Sequence, residues 1–258
     1  MSDVDMILYD LTNKPGGHLA FSPHCVKTVV DLKLLGIKYT RERLTFLQVR
    51  NELAKKVAED VTVPTLELPD GSYVRDSWKI AQWLAENHPQ GQKIFGGSEA
   101  GKRLAIFVNS YAVLAADIAA LSMPHIAPLL DEDSRDYFIN KKLTKARFDQ
   151  MASATPAQRS ERIQQVIKNL GPMEMMLCLK PRAQATDAAN ASGVNWLAGG
   201  AEPTHADACL FGFYAFSRAD PGACKAIWEA DSLPNLGKWV RAMLEWMGPE
   251  LAGDFVTA

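Results

Sequence analysis

The spacing of apolar residues changes character once along this chain, near residue 89, and that change limits the fold more than any other feature. Up to His88, short strand-like runs alternate with helical ones; beyond Gly96-Gly97-Ser98 the strand signals nearly vanish. Met6 to Tyr9 reads as a strand, Pro23 to Leu35 as a helix and Ile37 to Leu44 as a second strand. In that helix Val26, Val29, Val30 and Leu34 share one face, Lys27, Asp31 and Lys33 take the other, and Gly36 stands where a helix stops. A βαβ unit with a parallel crossover follows.

Leu47 to Ala58 reads as a short helix rich in Lys and Glu, followed by an extended run Val61 to Leu68. The turn Pro69-Asp70-Gly71 then leads into Ser72 to Arg75, because Asp-Gly between two apolar runs signals a hairpin. A helix starting near Asp76-Ser77 carries Ile80, Trp83 and Leu84 on one face and ends before Pro89. The order is βαβ-α-ββ-α. Residues 89–98, rich in Pro and Gly, read as a linker. Helical spacing then covers Arg103 to Leu121, Asp133 to Met151, Ala157 to Leu179, His205 to Arg218 and Leu236 to Trp246, with Pro124 and Pro128 bending or ending the first. The expected fold class is therefore α/β plus all-α: a small mixed domain at residues 1–90 and an all-helical one at residues 99–258.

The chain can bury a core, with 47% hydrophobic and 22% charged residues among 258, which excludes disordered, collagen-like and membrane-spanning compositions. Lys plus Arg (28) against Asp plus Glu (30) leaves a formal charge of -2, so neither nucleic acid nor an anionic membrane is an expected partner; a small molecule is. Cys25, Cys178, Cys209 and Cys224 form no Cys-x-x-Cys pair and suit a reducing compartment, the cytoplasm. The opening Met1-Ser2-Asp3-Val4-Asp5 is acidic where a secretory signal would be basic, and the most apolar stretch, Ala112 to Met123, is interrupted by Asp117. Without a secretory route the sequon Asn190-Ala191-Ser192 carries no function.

Several motifs dissolve on inspection. Gly96-x-x-x-x-Gly101-Lys102 has the outline of a phosphate loop, but Arg103 stands where a magnesium-binding hydroxyl is needed and no strand precedes it. His18, His24, His88, His125 and His205 include no i, i+4 pair, so no zinc site is built on one helix and no metal is expected. Thr204-His205-Ala206-Asp207 has the spacing of a capping box ahead of an apolar run, a structural role.

Three short segments keep a chemical reading beside a structural one. Ser22-Pro23-His24-Cys25 opens the first helix: Ser is a favoured N-cap and Pro fits the first turn, yet a hydroxyl and free N–H groups at a helix N-terminus also hold a thiolate or another anion. Val63-Pro64 lies where a strand starts, and an ordinary trans proline is the common form there. Asp76-Ser77 either caps the next helix or binds a charged amino-acid head group.

In order and spacing these segments resemble a cytosolic glutathione transferase over nearly the whole chain: Ser22-Pro23, Val63-Pro64-Thr65-Leu66, Asp76-Ser77, the linker and Thr204-x-x-Asp207. Leu8-Tyr9-Asp10-Leu11, the long loop to Phe21, Lys27-Thr28 and Asp76-Ser77-Trp78 resemble more narrowly the β-etherase-type transferases of bacteria and their fungal relatives, which act on lignin-like aryl ethers. Most general transferases have a shorter loop and Glu at the position of Asp76. The resemblance implies a thioredoxin-like N-terminal domain, glutathione as co-substrate and a homodimer. It implies Ser22 as the catalytic residue that hydrogen-bonds the sulfur, Val63 pairing its backbone with the cysteinyl part across a cis peptide to Pro64, and Asp76 and Ser77 on the γ-glutamyl group. Lys56, with Gln48 behind it, is the candidate for the glycyl carboxylate, and Phe21, Tyr111 and Met123 for an aromatic pocket between the loop from Asn13 and the helical domain.

The implied chemistry is physically consistent. A thiol of pKa about 8.5 is a few per cent ionised at pH 7, and each unit of depression corresponds to about 1.4 kcal/mol of preference for the thiolate. One charge-assisted hydrogen bond and a helix N-terminus supply about that much. The thiolate then attacks a hydrophobic aromatic electrophile and, in an etherase, displaces a phenolate. The alternatives are a ligandin-like carrier of glutathione and aromatic ligands without turnover, and a regulatory protein whose helical domain contacts a protein partner. A thiol reductase is less suited, since Ser22 stands where the attacking cysteine would be.

Overall fold

A computed structural model describes residues 6–179 and 195–254; the acidic segment Met1 to Asp5 and the sequon at Asn190 lie outside the described residues. Strands β1 (Met6–Leu11), β2 (Tyr39–Leu44), β3 (Thr65–Glu67) and β4 (Tyr73–Arg75) form one sheet in the order β2-β1-β3-β4. β1 and β2 are parallel, with Met6 opposite Tyr39, while β3 runs antiparallel to both β1 and β4. The topology matches the βαβ-α-ββ-α reading, and the N-terminal layer is thioredoxin-like.

Helix α1 (Pro23–Leu34) crosses between β1 and β2. It ends at Gly36, whose φ of +64° is the left-handed conformation that glycine adopts without a Cβ penalty. There Gly36 N–H donates to Lys33 O at 3.0 Å and Ile37 N–H to Leu32 O at 3.0 Å, the paired bonds of a Schellman stop. The segment after β2 is one irregular helix in three parts: α2 (Phe46–Gln48), a π-spaced turn Val49–Leu53, and α3 (Ala54–Lys56). Adjacent residues of β1 serve opposite faces of the sheet: Leu8 joins the core under α1 and α4 (Ser77–Asn87), while Tyr9 packs with Leu44, Val49, Leu53 and Val61.

The Pro/Gly-rich stretch after α4 is a built junction. Gly91–Phe95 forms a 3-10 turn that buries Ile94 and Phe95. Ser98 caps the next helix by accepting from Gly101 N–H at 3.0 Å, and a Cβ on Gly101 would sit 2.1 Å from Phe95 O. Gly101 thus serves close packing, while Gly96 and Gly97 take left-handed φ of +63° and +64°.

The remainder is helical: α5 (Glu99–Asn109), α6 (Ala112–Ile126), α7 (Glu132–Tyr137), a π-spaced run Phe138–Leu143, α8 (Lys145–Ala152), α9 (Pro156–Asn169), α10 (Gly171–Cys178), α11 (His205–Ser217), α12 (Pro221–Trp228) and α13 (Pro234–Gly253). Three expected continuous helices are broken. Tyr111 leaves helical geometry between α5 and α6, where its hydroxyl donates to Asn169 O at 2.8 Å and its ring packs on Phe107. Thr144 takes φ +80° before α8. Pro172, in the first turn of α10, ends α9 for want of an N–H. The last helix continues past Trp246 through a kink at Gly248, and α12, capped by Asp220 with Pro221 behind it, was not anticipated.

Ala112–Leu129 has a mean hydropathy of 1.5 over 18 residues, long and apolar enough by composition to cross a membrane. In the fold it packs against α8, α9 and α11, buries Leu114, Ile118 and Leu121, and pairs Asp117 with Arg162 at 3.6 Å. One face of this helix is thus packed inside the helical layer, while Val113 on another face is exposed.

Candidate functional site

The most extensive packing between the two layers sets α11 against α1. Gly212 allows it: a Cβ there would lie 2.6 Å from Pro23 O. This contact holds the N-terminus of α1 at the edge of a cavity of about 380 Å³ between the layers. Ser22, 7% exposed, is the N-cap of α1, and its Oγ accepts from Cys25 N–H at 3.4 Å. That bond uses an oxygen lone pair and leaves the O–H to donate into the cavity. Pro23 has no N–H, so the cap leaves His24 as the first-turn amide outside the helix's own bonding.

On the sheet side, Thr62 and Val63 line the cavity and the Val63–Pro64 peptide bond is cis. Asp76 N–H donates to Pro64 O at 3.2 Å, which sets Asp76-Ser77 beside Val63-Pro64. Asp76 has φ +81°, a left-handed conformation strained for a residue with a Cβ, and its carboxylate accepts from Trp78 N–H and Lys79 N–H at 3.0 and 3.2 Å. Ser77 is buried behind it.

Of the residues expected to hold a glycyl carboxylate, neither lines the cavity. Lys56 is drawn to Glu67, at 2.8 Å, and to the Tyr9 hydroxyl. Gln48 completes a capping box, its Oε1 accepting from Thr45 N–H at 3.0 Å. The cation that does reach the cavity from this segment is Arg50, in the π-spaced turn, anchored on Val61 O. Lys142, from the other π-spaced run, stands over the Phe46 ring at 5.6 Å on the same cavity.

Much of the remaining lining is apolar: Phe21, Phe46, Phe138, Phe213 and Phe216, with Ala115, Ala119 and Met123 from α6. Phe21 and Met123 line this cavity, and Tyr111, occupied at Asn169, does not. The loop from Asn13 contributes chiefly Phe21. Asn13 itself donates to Leu129 O at 3.0 Å and accepts from Asp131 N–H at 2.9 Å, docking the loop on the helical layer.

The charge of this lining is one-sided. Lys27, Arg50 and Lys142 contribute cations, and among the described residues no Asp or Glu lines the cavity. His24 is open to the cavity but walled by protein; this desolvation, with the Lys27 ammonium, lowers its imidazole to about 4 against the pull of Asp76, so it is neutral at pH 7. Cys25 is fully buried and its thiol is pushed well above the usual range, chiefly by burial and then by Asp10, which leaves it inert. Among the described residues no group of three or more His, Cys, Asp or Glu is arranged to hold a metal ion.

Residues 21–87 match the glutathione S-transferase N-terminal domain family. Over the whole chain the fold is that of glutathione transferases. A glutathione S-transferase of Ceriporiopsis subvermispora in complex with glutathione superposes with a TM-score of 0.71 at 19% identity, covering 94% of this chain and 96% of that one. Glutathione transferase GSTFuA3 of Phanerochaete chrysosporium gives a TM-score of 0.71 at 20% identity with 100% of both chains covered. A glutathione S-transferase of Methylobacterium radiotolerans complexed with glutathione sulfonate gives 0.55 at 19% identity, covering 99% and 96%. No curated protein matches the sequence.

Proposed function

We propose that this protein is a glutathione transferase acting on hydrophobic aromatic electrophiles, with β-aryl ethers as the substrate class. The observation that carries the reading is the Ser22 hydroxyl, polarised by Cys25 N–H at the start of α1 and turned toward a cavity whose lining sets cations among aromatic rings. Glutathione would lie along Val63-Pro64 with its γ-glutamyl end at Asp76 and Ser77. We assign its glycyl carboxylate to Arg50, with Lys142 nearby, in place of Lys56 or Gln48.

Ser22 donates its O–H to the sulfur and, with the N-terminus of α1, favours the thiolate. The thiol proton passes to solvent. In ether cleavage the sulfur forms a bond to the side-chain carbon that bears the aryloxy group, that carbon's bond to oxygen breaks, and its electron pair leaves on the phenolate. The wall of Phe21, Met123, Phe213 and Phe216 supports the choice of an aromatic acceptor. Exposed Ile106, Phe107 and Val113 on α5 and α6 support a homodimer, and the free cysteines support a cytoplasmic protein.

The test is thioether formation from glutathione with chlorodinitrobenzene and with a β-aryl ether releasing a fluorescent phenol. Wild-type protein is expected to turn over both, and Ser22→Ala to be slower by on the order of 100-fold. The size and apolarity of the cavity also fit a carrier; binding of glutathione and aromatic ligands without product would establish that reading instead.

A further inference from the structure

Lys27 is a buried cation that forms no salt bridge among the described residues. It is 1% exposed, yet it lines the cavity from α1, one turn beyond Ser22. Its Nζ donates to Asn109 Oδ1 at 2.8 Å and stands 3.5 Å from His24 Nδ1 and 5.9 Å from the centre of the Phe213 ring. Among the described residues no carboxylate lies within 4.0 Å of it: Asp31, on the same helix, is held by His205 at 2.8 Å. An ammonium has three N–H donors, and its direct contacts here, the Asn109 amide, the His24 imidazole and a ring face, carry no charge; the Asp31 carboxylate, bonded to His205, acts on it through space only. Buried charges are ordinarily paired, because desolvation of an isolated ion is costly. A cation built into an otherwise aromatic wall is suited to a ligand that brings the missing charge.

We infer that Lys27, held by Asn109 and His24, is an oxyanion subsite, and that the ligand it selects is an aryl compound bearing a carboxylate, sulfonate or phenolate oxygen. The ring lies against Phe213, Phe216 and Met123, and the anionic oxygen gives Nζ the charged acceptor that its direct contacts lack. The inference rests on the reading of this wall as the electrophile side, but it concerns binding alone and stands whether or not the bound compound is turned over. Arg50 and Lys142 are assigned to glutathione, so the two anionic groups have separate cations.

The test uses two fluorescent probes of nearly the same shape, without glutathione: anionic 8-anilinonaphthalene-1-sulfonate and neutral N-phenyl-1-naphthylamine. Lys27→Met is expected to weaken the sulfonate about tenfold and the neutral probe less than twofold, while Lys27→Arg retains sulfonate binding. Equal effects on both probes, or an unchanged sulfonate affinity, would overturn the assignment. Should Lys27→Met fail to fold, competition on wild-type protein decides: 2-naphthoate is expected to displace the sulfonate and 2-naphthamide is not, and equal displacement contradicts the proposal. Glutathione binding to the same samples, followed by calorimetry, reports separately on the transferase reading.

Discussion

Asp31 in the middle of α1 and His205 at the start of α11 meet at 2.8 Å with both side chains fully buried, so the two layers are joined by an ion pair beneath the site. Trp78 and Phe95 pack edge-on against the same imidazole, at 5.5 and 6.0 Å between ring centres, and close off water. Burial alone would lower the imidazole, but the Asp31 carboxylate, followed by Cys209, raises it to about 10.

That relationship sets a pH dependence of stability. The folded protein holds a proton on His205 that the unfolded chain releases near pH 6.5, so the contribution is complete below about 6.5 and is lost as pH rises toward about 10. Between pH 6.5 and 7.5, below the range where cysteines and tyrosines titrate in the unfolded chain, unfolding free energy measured in urea is expected to fall by up to about 1.4 kcal/mol per pH unit. His205→Gln is expected to flatten that slope. A wild-type slope unchanged by His205→Gln would show that the imidazole is neutral in the fold.

Asp207 is the most heavily bonded carboxylate in the helical layer. It accepts from Thr204 N–H and Oγ–H at 2.9 and 3.0 Å, from Leu197 N–H at 2.9 Å and from Trp239 Nε1–H at 2.9 Å, all buried. Asp207→Ala leaves several of those donors unpaired, and a loss of about 3 kcal/mol or more is expected in urea denaturation. Thr204→Ala, which removes the cap hydroxyl alone, is expected to cost about 1 kcal/mol.

Gly212 and Gly222 make a matched pair of probes. A methyl at Gly212 would press on Pro23 O from 2.6 Å, whereas one at Gly222 would meet Asp220 Oδ1 at an ordinary 3.6 Å. Gly212→Ala is expected to cost about 1–3 kcal/mol and to lower glutathione-dependent turnover further, because the backbone it displaces carries Ser22. Gly222→Ala is expected to change neither thermal midpoint nor rate appreciably.

The assignment of a carboxylate to Arg50 separates it from its neighbour in sequence. Loss of a charged hydrogen bond of about 1.5–3 kcal/mol corresponds to roughly 10- to 100-fold in affinity. Arg50→Ala is therefore expected to raise the glutathione Kd by that factor in calorimetric titration. Lys56→Ala, which breaks only the pair with Glu67 and Tyr9, is expected to leave it within twofold.

The features legible in the sequence are those decided within a few residues. The succession of strands and helices up to α4 follows from local spacing, the Ser22 cap and the Gly36 stop from residue type, and the Thr204 and Asp207 box from its three-residue spacing. What escaped depends on distant contacts. Tyr111 breaks a helix because Asn169, far along the chain, takes its hydroxyl. The π-spaced turn Val49–Leu53 shifts the phase of the segment after β2, so that Arg50 faces the cavity and Lys56 faces Glu67; even helical periodicity gives no sign of such a shift. Lys27 reads as a solvated face residue until α5 and α11 fold over it with Asn109 and Phe213.

The central claim is that Ser22 converts bound glutathione to its thiolate, and ultraviolet difference absorbance of the thiolate, titrated between pH 5 and 9, tests it most directly. With saturating glutathione, wild-type protein is expected to show the thiolate band at pH 7 with the thiol pKa below its solution value, and Ser22→Ala to bind glutathione as the neutral thiol. A thiolate band of equal size in both proteins, or glutathione bound as the thiol in both, would contradict the account.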